Sequence, residues 1–277
     1  MADNKKSSAS MAEIVRKVLL IAVIVALVGV EIWYRSQSAP SATVSDLYNS
    51  LSRLCGALAA LIFMIEFSFF RVLHPLGNRK AIGLLYILPA LAVAINNFPW
   101  VSMAMGDCSI SANAGELIFY AFICLCVGLF EELAFRGCAL MIFLRKRRTT
   151  RLGVFMAIFW SSVIFGIVHL SNIFVASPGA VLLQMGYSAL IGGLCCMVLL
   201  ETGNIWLCVI THALYNFAGG VVGRLGSGTI WTSEEVALTA ILGVLVAIFS
   251  VWRFLTMPIE RADQLFKKEK KENYDNI

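Results

Sequence analysis

Charged residues are scarce in this sequence, since Asp, Glu, Lys and Arg together make up only 14% of its 277 residues. Soluble domains carry about 25% charged residues. Hydrophobic residues reach 59% here, and the mean hydropathy is +0.82. The composition therefore excludes an ordinary soluble domain and favours a protein that crosses the membrane several times.

Metal-binding and disulfide patterns are also missing. There are three histidines and no H-E-x-x-H motif, which excludes the usual zinc-protease signature. Most of the eight cysteines fall in apolar stretches, and neither Cys124-x-Cys126 nor Cys195-Cys196 has zinc-ligand spacing. We expect these thiols to pack as small apolar groups.

Long apolar stretches, in contrast, are abundant. A hydrocarbon core about 30 Å thick needs about 20 apolar residues per helix. The sequence therefore predicts an all-α bundle of about eight transmembrane helices in one membrane domain, residues 1–277, with polar tails at 1–10 and 262–277. The eight spans are 18–34, 54–70, 82–105, 117–144, 152–175, 180–200, 205–222 and 236–254.

Basic residues predict the orientation of the bundle. Most of the 22 Lys and Arg precede the first span, follow the second, separate the fourth from the fifth, or close the chain. By the positive-inside rule both termini face the cytoplasm, as an even number of spans requires. The net charge of +5 follows from this bias and indicates no nucleic-acid partner. The first span lacks a cleavage pattern, so we interpret it as a retained anchor in the cytoplasmic membrane.

Several ionisable or amide side chains interrupt three of these spans. They are Glu131, Glu132 and Arg136 in the fourth span, His169 in the fifth, and His212 and Asn216 in the seventh. Each alone fits a helix-packing role. Together they predict a polar cavity within the membrane, because ionisable residues at that depth are costly and are functional candidates by default.

Helical spacing assigns partners within each span. Glu132 and Arg136 are four residues apart and can form an ion pair along one helix face. Glu131 is turned by about 100° from Glu132, so it is free to point elsewhere. The same four-residue spacing joins His212 to Asn216.

The depths of the three groups agree only under two conditions. Counted from the basic loops, Glu131 lies about 21 Å deep, His169 about 27 Å and His212 about 12 Å. They converge if the fifth span is tilted and if the turn at residues 201–204 lies below the membrane surface. That turn lacks Lys and Arg, which favours the second condition.

Three short motifs occur in order within residues 127–217: EELAFR from Glu131 to Arg136, FGIVH from Phe165 to His169, and HALYN from His212 to Asn216. Together they resemble the motifs of the CPBP family, which comprises CAAX proteases and bacteriocin-processing enzymes and is also called the Abi family. The eight-helix bundle agrees with the same family.

The resemblance implies an intramembrane endopeptidase of glutamic type. We expect no cofactor, because with both histidines bound to zinc no obvious oxyanion donor would remain except Asn216. Carried over to this sequence, Glu131 is the catalytic glutamate and His169 assists it at the water. His212 and Asn216 stabilise the oxyanion. The supporting residues are Glu132, Arg136 and Phe165. The bilayer-associated substrate is either a prenylated CAAX-type protein or a bacteriocin or signalling peptide.

Elementary chemistry agrees, because peptide hydrolysis needs a base for water, donors for the oxyanion and an acid for the leaving amine. Three alternatives stay open. Glu131, His169 and His212 are plausible zinc ligands by type, which would make a metalloprotease. The same groups could carry protons in a transporter, although no inverted repeat is visible. The protein could also be a non-catalytic regulatory scaffold.

Overall fold

The computed structural model describes residues 42–74, 85–174 and 176–266, with isolated helical positions between 15 and 29. The described residues are mostly helical, which confirms the predicted all-α fold. Among them, six helices are long and apolar enough to cross a membrane, so the chain is an integral membrane protein. The predicted count of about eight is not confirmed, and the span at 18–34 lies largely outside the described residues.

The helices follow in chain order as α1 Ala42–Glu66, α2 Leu88–Asn96, α3 Trp100–Met105, α4 Ala114–Glu132, α5 Met141–Leu144, α6 Arg151–Val168, α7 Pro178–Thr202, α8 Ile205–Leu225, α9 Ser233–Thr256 and α10 Glu260–Gln264. A π-helical segment, Leu133–Leu140, joins α4 to α5. The 3₁₀ turns Phe70–Leu73 and His169–Phe174 follow α1 and α6. Strands β1 Cys108–Ile110 and β2 Gly226–Gly228 pair antiparallel, with Cys108 opposite Gly228.

Side-chain caps start the last five long helices. In each case a side-chain oxygen accepts a hydrogen bond from a backbone N–H of the first turn, which would otherwise have no partner. The caps are Asn113 for α4, Thr150 for α6, Ser177 for α7, Asn204 for α8 and Thr232 for α9. Each lies within a few residues of the start predicted from the apolar pattern.

Three boundaries differ from the prediction. Helix α1 begins at Ala42, well before residue 54. The span at 82–105 is broken between α2 and α3, because Pro99 has no N–H to donate and its ring disfavours helical backbone at Phe98. Ala262 and Leu265, at the start of the polar tail expected from residue 262, are buried in the core.

Two glycines allow the motif-bearing helices to approach closely. A Cβ atom at Gly128 on α4 would lie 3.1 Å from the carbonyl oxygen of Val209 on α8. A Cβ atom at Gly166 on α6 would lie 2.6 Å from the carbonyl oxygen of Met185 on α7. The backbones of α4 and α8, and those of α6 and α7, therefore touch near the motifs.

Contacts between the ends of the helices divide the molecule into two sides. On one side the basic segment after α5 reaches the C-terminal helices, where Arg148 Nε lies 2.7 Å from Asp263 Oδ1 and Arg151 donates to a carbonyl at the end of α9. At the opposite end Arg224 pairs with Asp46. The structure thus gathers basic loops at one end, whereas the orientation of the termini stays a prediction.

The turn between α7 and α8 is buried, and α9 and α10 cover it. Glu201 Oε1 lies 2.5 Å from Arg253 Nε, and Glu201 Oε2 lies 3.1 Å from Arg261 Nη1. We call Glu201, Arg253 and Arg261 the turn cluster. It explains why this turn carries no basic residue of its own: the arginines that neutralise Glu201 come from the C-terminal part of the chain.

Candidate active site

The two adjacent glutamates lie where an α-helix changes into a π-helix. Glu131 and Glu132 are the last residues of α4, and the π-helical segment begins immediately after them. A π-helix bonds each N–H to the carbonyl five residues earlier, and such segments occur frequently at functional sites. The Ser161 hydroxyl on α6 donates to the Phe135 carbonyl of this segment at 3.2 Å, which ties α6 to it.

Glu132 is fully buried and has two partners. Its Oε1 lies 2.8 Å from Arg136 Nη1, so the predicted ion pair is present within the helix. The same oxygen lies 2.7 Å from His212 Nδ1 on α8. A carboxylate that holds one nitrogen of an imidazole sets the ring's orientation and directs the other nitrogen. Glu132 therefore links the first motif to the third.

His212 lies between the two glutamates. Its Nδ1 contacts Glu132, and its Nε2 lies 3.5 Å from Glu131 Oε2. The imidazole is buried, whereas 13% of the Glu131 side chain is exposed. Glu131 is thus the more accessible carboxylate, and it faces the third motif as the spacing within α4 allowed.

His169 begins the 3₁₀ turn that ends α6, and its Nδ1 lies 2.8 Å from the Phe165 carbonyl oxygen. A carbonyl only accepts, so Nδ1–H is the donor and Nε2 of the neutral ring is an acceptor. Within the described residues, Nε2 has no hydrogen-bond partner in the protein. His169 therefore presents a free basic nitrogen.

Phe165 joins the motifs through its ring. The ring centroid lies 5.2 Å from that of His169 and 5.7 Å from that of His212, both in edge-to-face geometry. The guanidinium carbon of Arg136 lies 4.5 Å from the same centroid. One residue of each motif thus contacts this buried ring, and the three motifs converge although they are far apart in the sequence.

Asn216 lies one turn beyond His212 on α8 and is partly buried. In the described parts of the chain its side-chain amide has no hydrogen-bond partner. Its two N–H donors are therefore available to a ligand. The α8 backbone sets where this side chain starts, and no partner within the described residues fixes the amide itself.

The four predicted catalytic groups are not all in direct contact. Glu131 and His212 approach to 3.5 Å. Neither nitrogen of His169 lies within 4.0 Å of a carboxylate oxygen among the described residues. His169 joins the site through Phe165, so any interaction between His169 and Glu131 needs a bridging molecule such as the substrate water.

Metal binding was the main chemical alternative, through Glu131, His169 and His212. Within the described ranges, no group of three or more His, Cys, Asp or Glu side chains is arranged to hold a metal ion. The three residues do not form such a group in this arrangement, because His169 stands apart from the two others. That the protein uses no cofactor stays a prediction.

One glycine that the motifs do not include shapes the site. A Cβ atom at Gly192 on α7 would lie 3.1 Å from Phe165 Cδ1 and 3.3 Å from Arg136 Nη2. The glycine lets α7 pack closely over the buried arginine, because a side chain here would press on Phe165 and Arg136. A glycine within an apolar helix is a signal for close packing, but the sequence alone does not say against which residue.

Comparison with known families supports the motif assignment. Residues 113–218 match the model of a family described as type II CAAX prenyl endopeptidase Rce1-like. The matched stretch begins at the cap of α4, ends within α8 and contains all three motifs. No curated protein and no solved structure matches the chain. The resemblance drawn from the motifs is thereby confirmed.

Proposed function

We propose that this chain, whose residues 113–218 belong to the Rce1-like CAAX endopeptidases of the CPBP family, hydrolyses a peptide bond with a water molecule activated by Glu131. Family membership indicates an intramembrane protease that acts on a membrane-associated peptide. The observation that supports the glutamate mechanism is the juxtaposition of Glu131 Oε2 and His212 Nε2 at 3.5 Å, with Glu132 holding the opposite nitrogen.

Glu131 is the base. Its partly exposed carboxylate takes a proton from water, and the hydroxide attacks the substrate carbonyl carbon. The free Nε2 of His169 accepts a hydrogen bond from the same water and orients it. The tautomer that this role needs is the one favoured by the 2.8 Å contact between Nδ1 and the Phe165 carbonyl.

His212 and Asn216 are the oxyanion donors. Glu132 accepts from Nδ1–H of His212, and in the doubly protonated ring that this role requires the second N–H, on Nε2, points toward Glu131. At 3.5 Å that N–H is not tied to Glu131, because ordinary N–H···O bonds are shorter. The Asn216 amide supplies the other donor. One such donor is commonly worth about 3–4 kcal/mol in the transition state.

Charge balance favours this arrangement. With His212 protonated on both nitrogens, two carboxylates face one imidazolium and one guanidinium, that of Arg136. A neutral cluster costs far less in a low-dielectric interior than an unpaired charge. When the tetrahedral intermediate collapses, the C–N bond breaks and Glu131 returns its proton to the leaving amine.

The substrate must reach the site in extended form, because a peptide bond within a helix has its carbonyl satisfied and its backbone shielded. We infer that it is either a prenylated CAAX-type protein or a bacteriocin or signalling peptide. We also infer that the end carrying Arg148 and Arg151 faces the cytoplasm, by the positive-inside rule. Glu131, His169, His212 and Asn216 suffice for this reaction without a cofactor.

The first test compares wild-type protein with Glu131→Gln in membranes of the producing cell. Peptides released by wild-type protein should be absent with the variant, because glutamine cannot take a proton from water. Purified variant in proteoliposomes should cleave the peptides so identified at least about 100-fold more slowly. Its Tm should equal that of wild-type protein within a few degrees.

Glu116→Gln is the matched control, because it makes the same change at the exposed start of the same helix. It should retain full activity, since glutamine preserves the capping geometry. A Glu131→Gln variant that cleaves at the wild-type rate would contradict the role of Glu131. Transport by the reconstituted protein without any peptide release would favour the proton-relay alternative.

A further inference from the structure

Two consecutive glycines follow Asn216 by one helical turn on α8. A Cβ atom at Gly219 would collide with the side-chain amide of Asn97, and one at Gly220 would collide with the hydroxyl of Tyr120. The space that side chains would occupy on this face of α8 is thus filled by polar groups from two other parts of the fold.

These polar groups bind two successive backbone carbonyls of α8, those of Tyr215 and Asn216. Asn97 Nδ2 donates to the Tyr215 carbonyl at 2.8 Å, and the Tyr120 hydroxyl donates to the Asn216 carbonyl at 3.4 Å. Asn97 lies at the break between α2 and α3, and Tyr120 lies in the second turn of α4. The Tyr120 ring is itself held at 5.6 Å from that of Phe217.

The consequence concerns the direction of the Asn216 amide. Two successive carbonyls of α8 each receive an additional donor, closely from Asn97 and at a longer distance from Tyr120, so both side chains restrain the rotation and height of the helix at this point. Because the Asn216 amide has no partner of its own among the described residues, the position of the α8 backbone decides which of its rotamers can bring the N–H groups to an oxyanion. Small rotations of α8 would move these donors away from an oxyanion.

We propose that Asn97 and Tyr120 are positioning residues that hold Asn216 in the geometry required of an oxyanion donor. This inference rests on the proposed function. Neither residue belongs to the three motifs, and among the described residues neither forms a hydrogen bond or ion pair with Glu131 or His212. Their effect on turnover should therefore pass entirely through Asn216.

A double-mutant cycle tests this dependence. Tyr120→Phe removes only the hydroxyl, and Asn216→Ala removes the amide. In wild-type background, Tyr120→Phe should lower kcat about threefold at unchanged KM, because one long hydrogen bond to the α8 backbone is lost. In the Asn216→Ala background, the same change should have no further effect on kcat.

Asn97→Leu provides a second measurement, because it keeps the approximate side-chain size and removes the donor. It should lower kcat in wild-type background and leave kcat unchanged in the Asn216→Ala background. Tyr86→Phe is the control, since Tyr86 stacks on Arg253 in the turn cluster, away from Asn216. Its kcat should equal that of wild-type protein.

Equal losses of kcat in both backgrounds would overturn the proposal, since they would indicate a general structural effect. So would wild-type kcat in both Tyr120→Phe and Asn97→Leu. Wild-type protein without peptidase activity would instead contradict the proposed function, which separates the two failures.

Discussion

Two buried ion clusters in the described part of the chain invite comparison. In the turn cluster, Glu201 is held by Arg253 and Arg261, which come from the C-terminal part of the chain. In the site cluster, which consists of Glu131, Glu132, Arg136 and His212, a buried glutamate is likewise paired with an arginine. Both clusters join helices that are distant in the sequence.

They differ in what remains available to a ligand. Both carboxylate oxygens of Glu201 contact arginine nitrogens, and Arg261 also donates to the Glu201 carbonyl at 2.7 Å. In the site, an imidazole lies between two carboxylates, and His169 and Asn216 keep free nitrogens beside it. Buried charge alone thus indicates an ion pair that holds helices together. Catalysis requires buried groups that can still bind a ligand or exchange a proton.

Among changes that distinguish the two clusters, Arg136→Ala should have the largest effect, because it should lower both stability and peptide cleavage. This change leaves Glu132 buried beside one partner, His212, and removes the cation that packs on Phe165. Losing one member of a buried ion pair commonly costs about 3–5 kcal/mol. The free energy of unfolding and the rate of peptide cleavage should therefore both fall, as measured by thermal unfolding in detergent and by cleavage in liposomes.

Lys146→Ala is the control for this change, because Lys146 is an exposed basic residue after α5. It should alter neither quantity measurably. An Arg136→Ala protein with wild-type Tm and wild-type cleavage would mean that Glu132 needs no buried cation, and the assigned support role would be wrong.

A smaller effect, on stability alone, is expected for Glu201→Gln. The change keeps the shape and one hydrogen-bonding oxygen but leaves Arg253 and Arg261 without a counter-charge. We expect a loss of about 1–3 kcal/mol in the free energy of unfolding. The kcat of the folded protein should be unchanged, since no group of the turn cluster belongs to the site.

The exposed Glu260→Gln on α10 serves as the reference, with an expected change near zero. A Glu201→Gln protein that keeps its Tm and loses its turnover would abolish the distinction between the two clusters. The turn would then have to communicate with the site, and a purely structural role for Glu201 would be untenable.

No effect at all is expected from chelation. Purified protein treated with phenanthroline should cleave its substrate at the same rate as protein treated with a non-chelating isomer. The reason is that Glu131, His169, His212 and Asn216 provide base, orienting group and oxyanion donors without a metal. Loss of activity that zinc specifically restores would support the zinc alternative.

Much of the helical framework follows from local pattern. The starts of α6, α7, α8 and α9 lie within three residues of their predicted positions, because each begins with a capping residue before an apolar run. The broken span at 82–105 could have been recognised from Pro99. The early start of α1 could not, because its first three turns carry several polar residues.

Within the site, spacing along one helix was sufficient for Glu132 and Arg136, which are neighbours by helical geometry alone. It could not show that Glu132 also holds His212, because those residues are separated by most of three helices. Spacing along one helix also missed Asn97 and Tyr120. No sequence pattern marks these two residues, and their role follows only from their contacts with Gly219 and Gly220 in the fold. Contacts across helices depend on how the whole bundle packs.

The π-helical segment has a consequence of its own. The segment holds one residue more than an α-helix that joins the same two ends would hold. Its geometry therefore depends on the number of residues as well as on their type. If these residues formed an α-helix instead, without losing a position, the preceding helix would turn by about 100° relative to the following one. Glu131 and Glu132 would keep every neighbour in the sequence and face the wrong side of the bundle. The π-helical form of Leu133–Leu140 is therefore itself part of what directs the two glutamates.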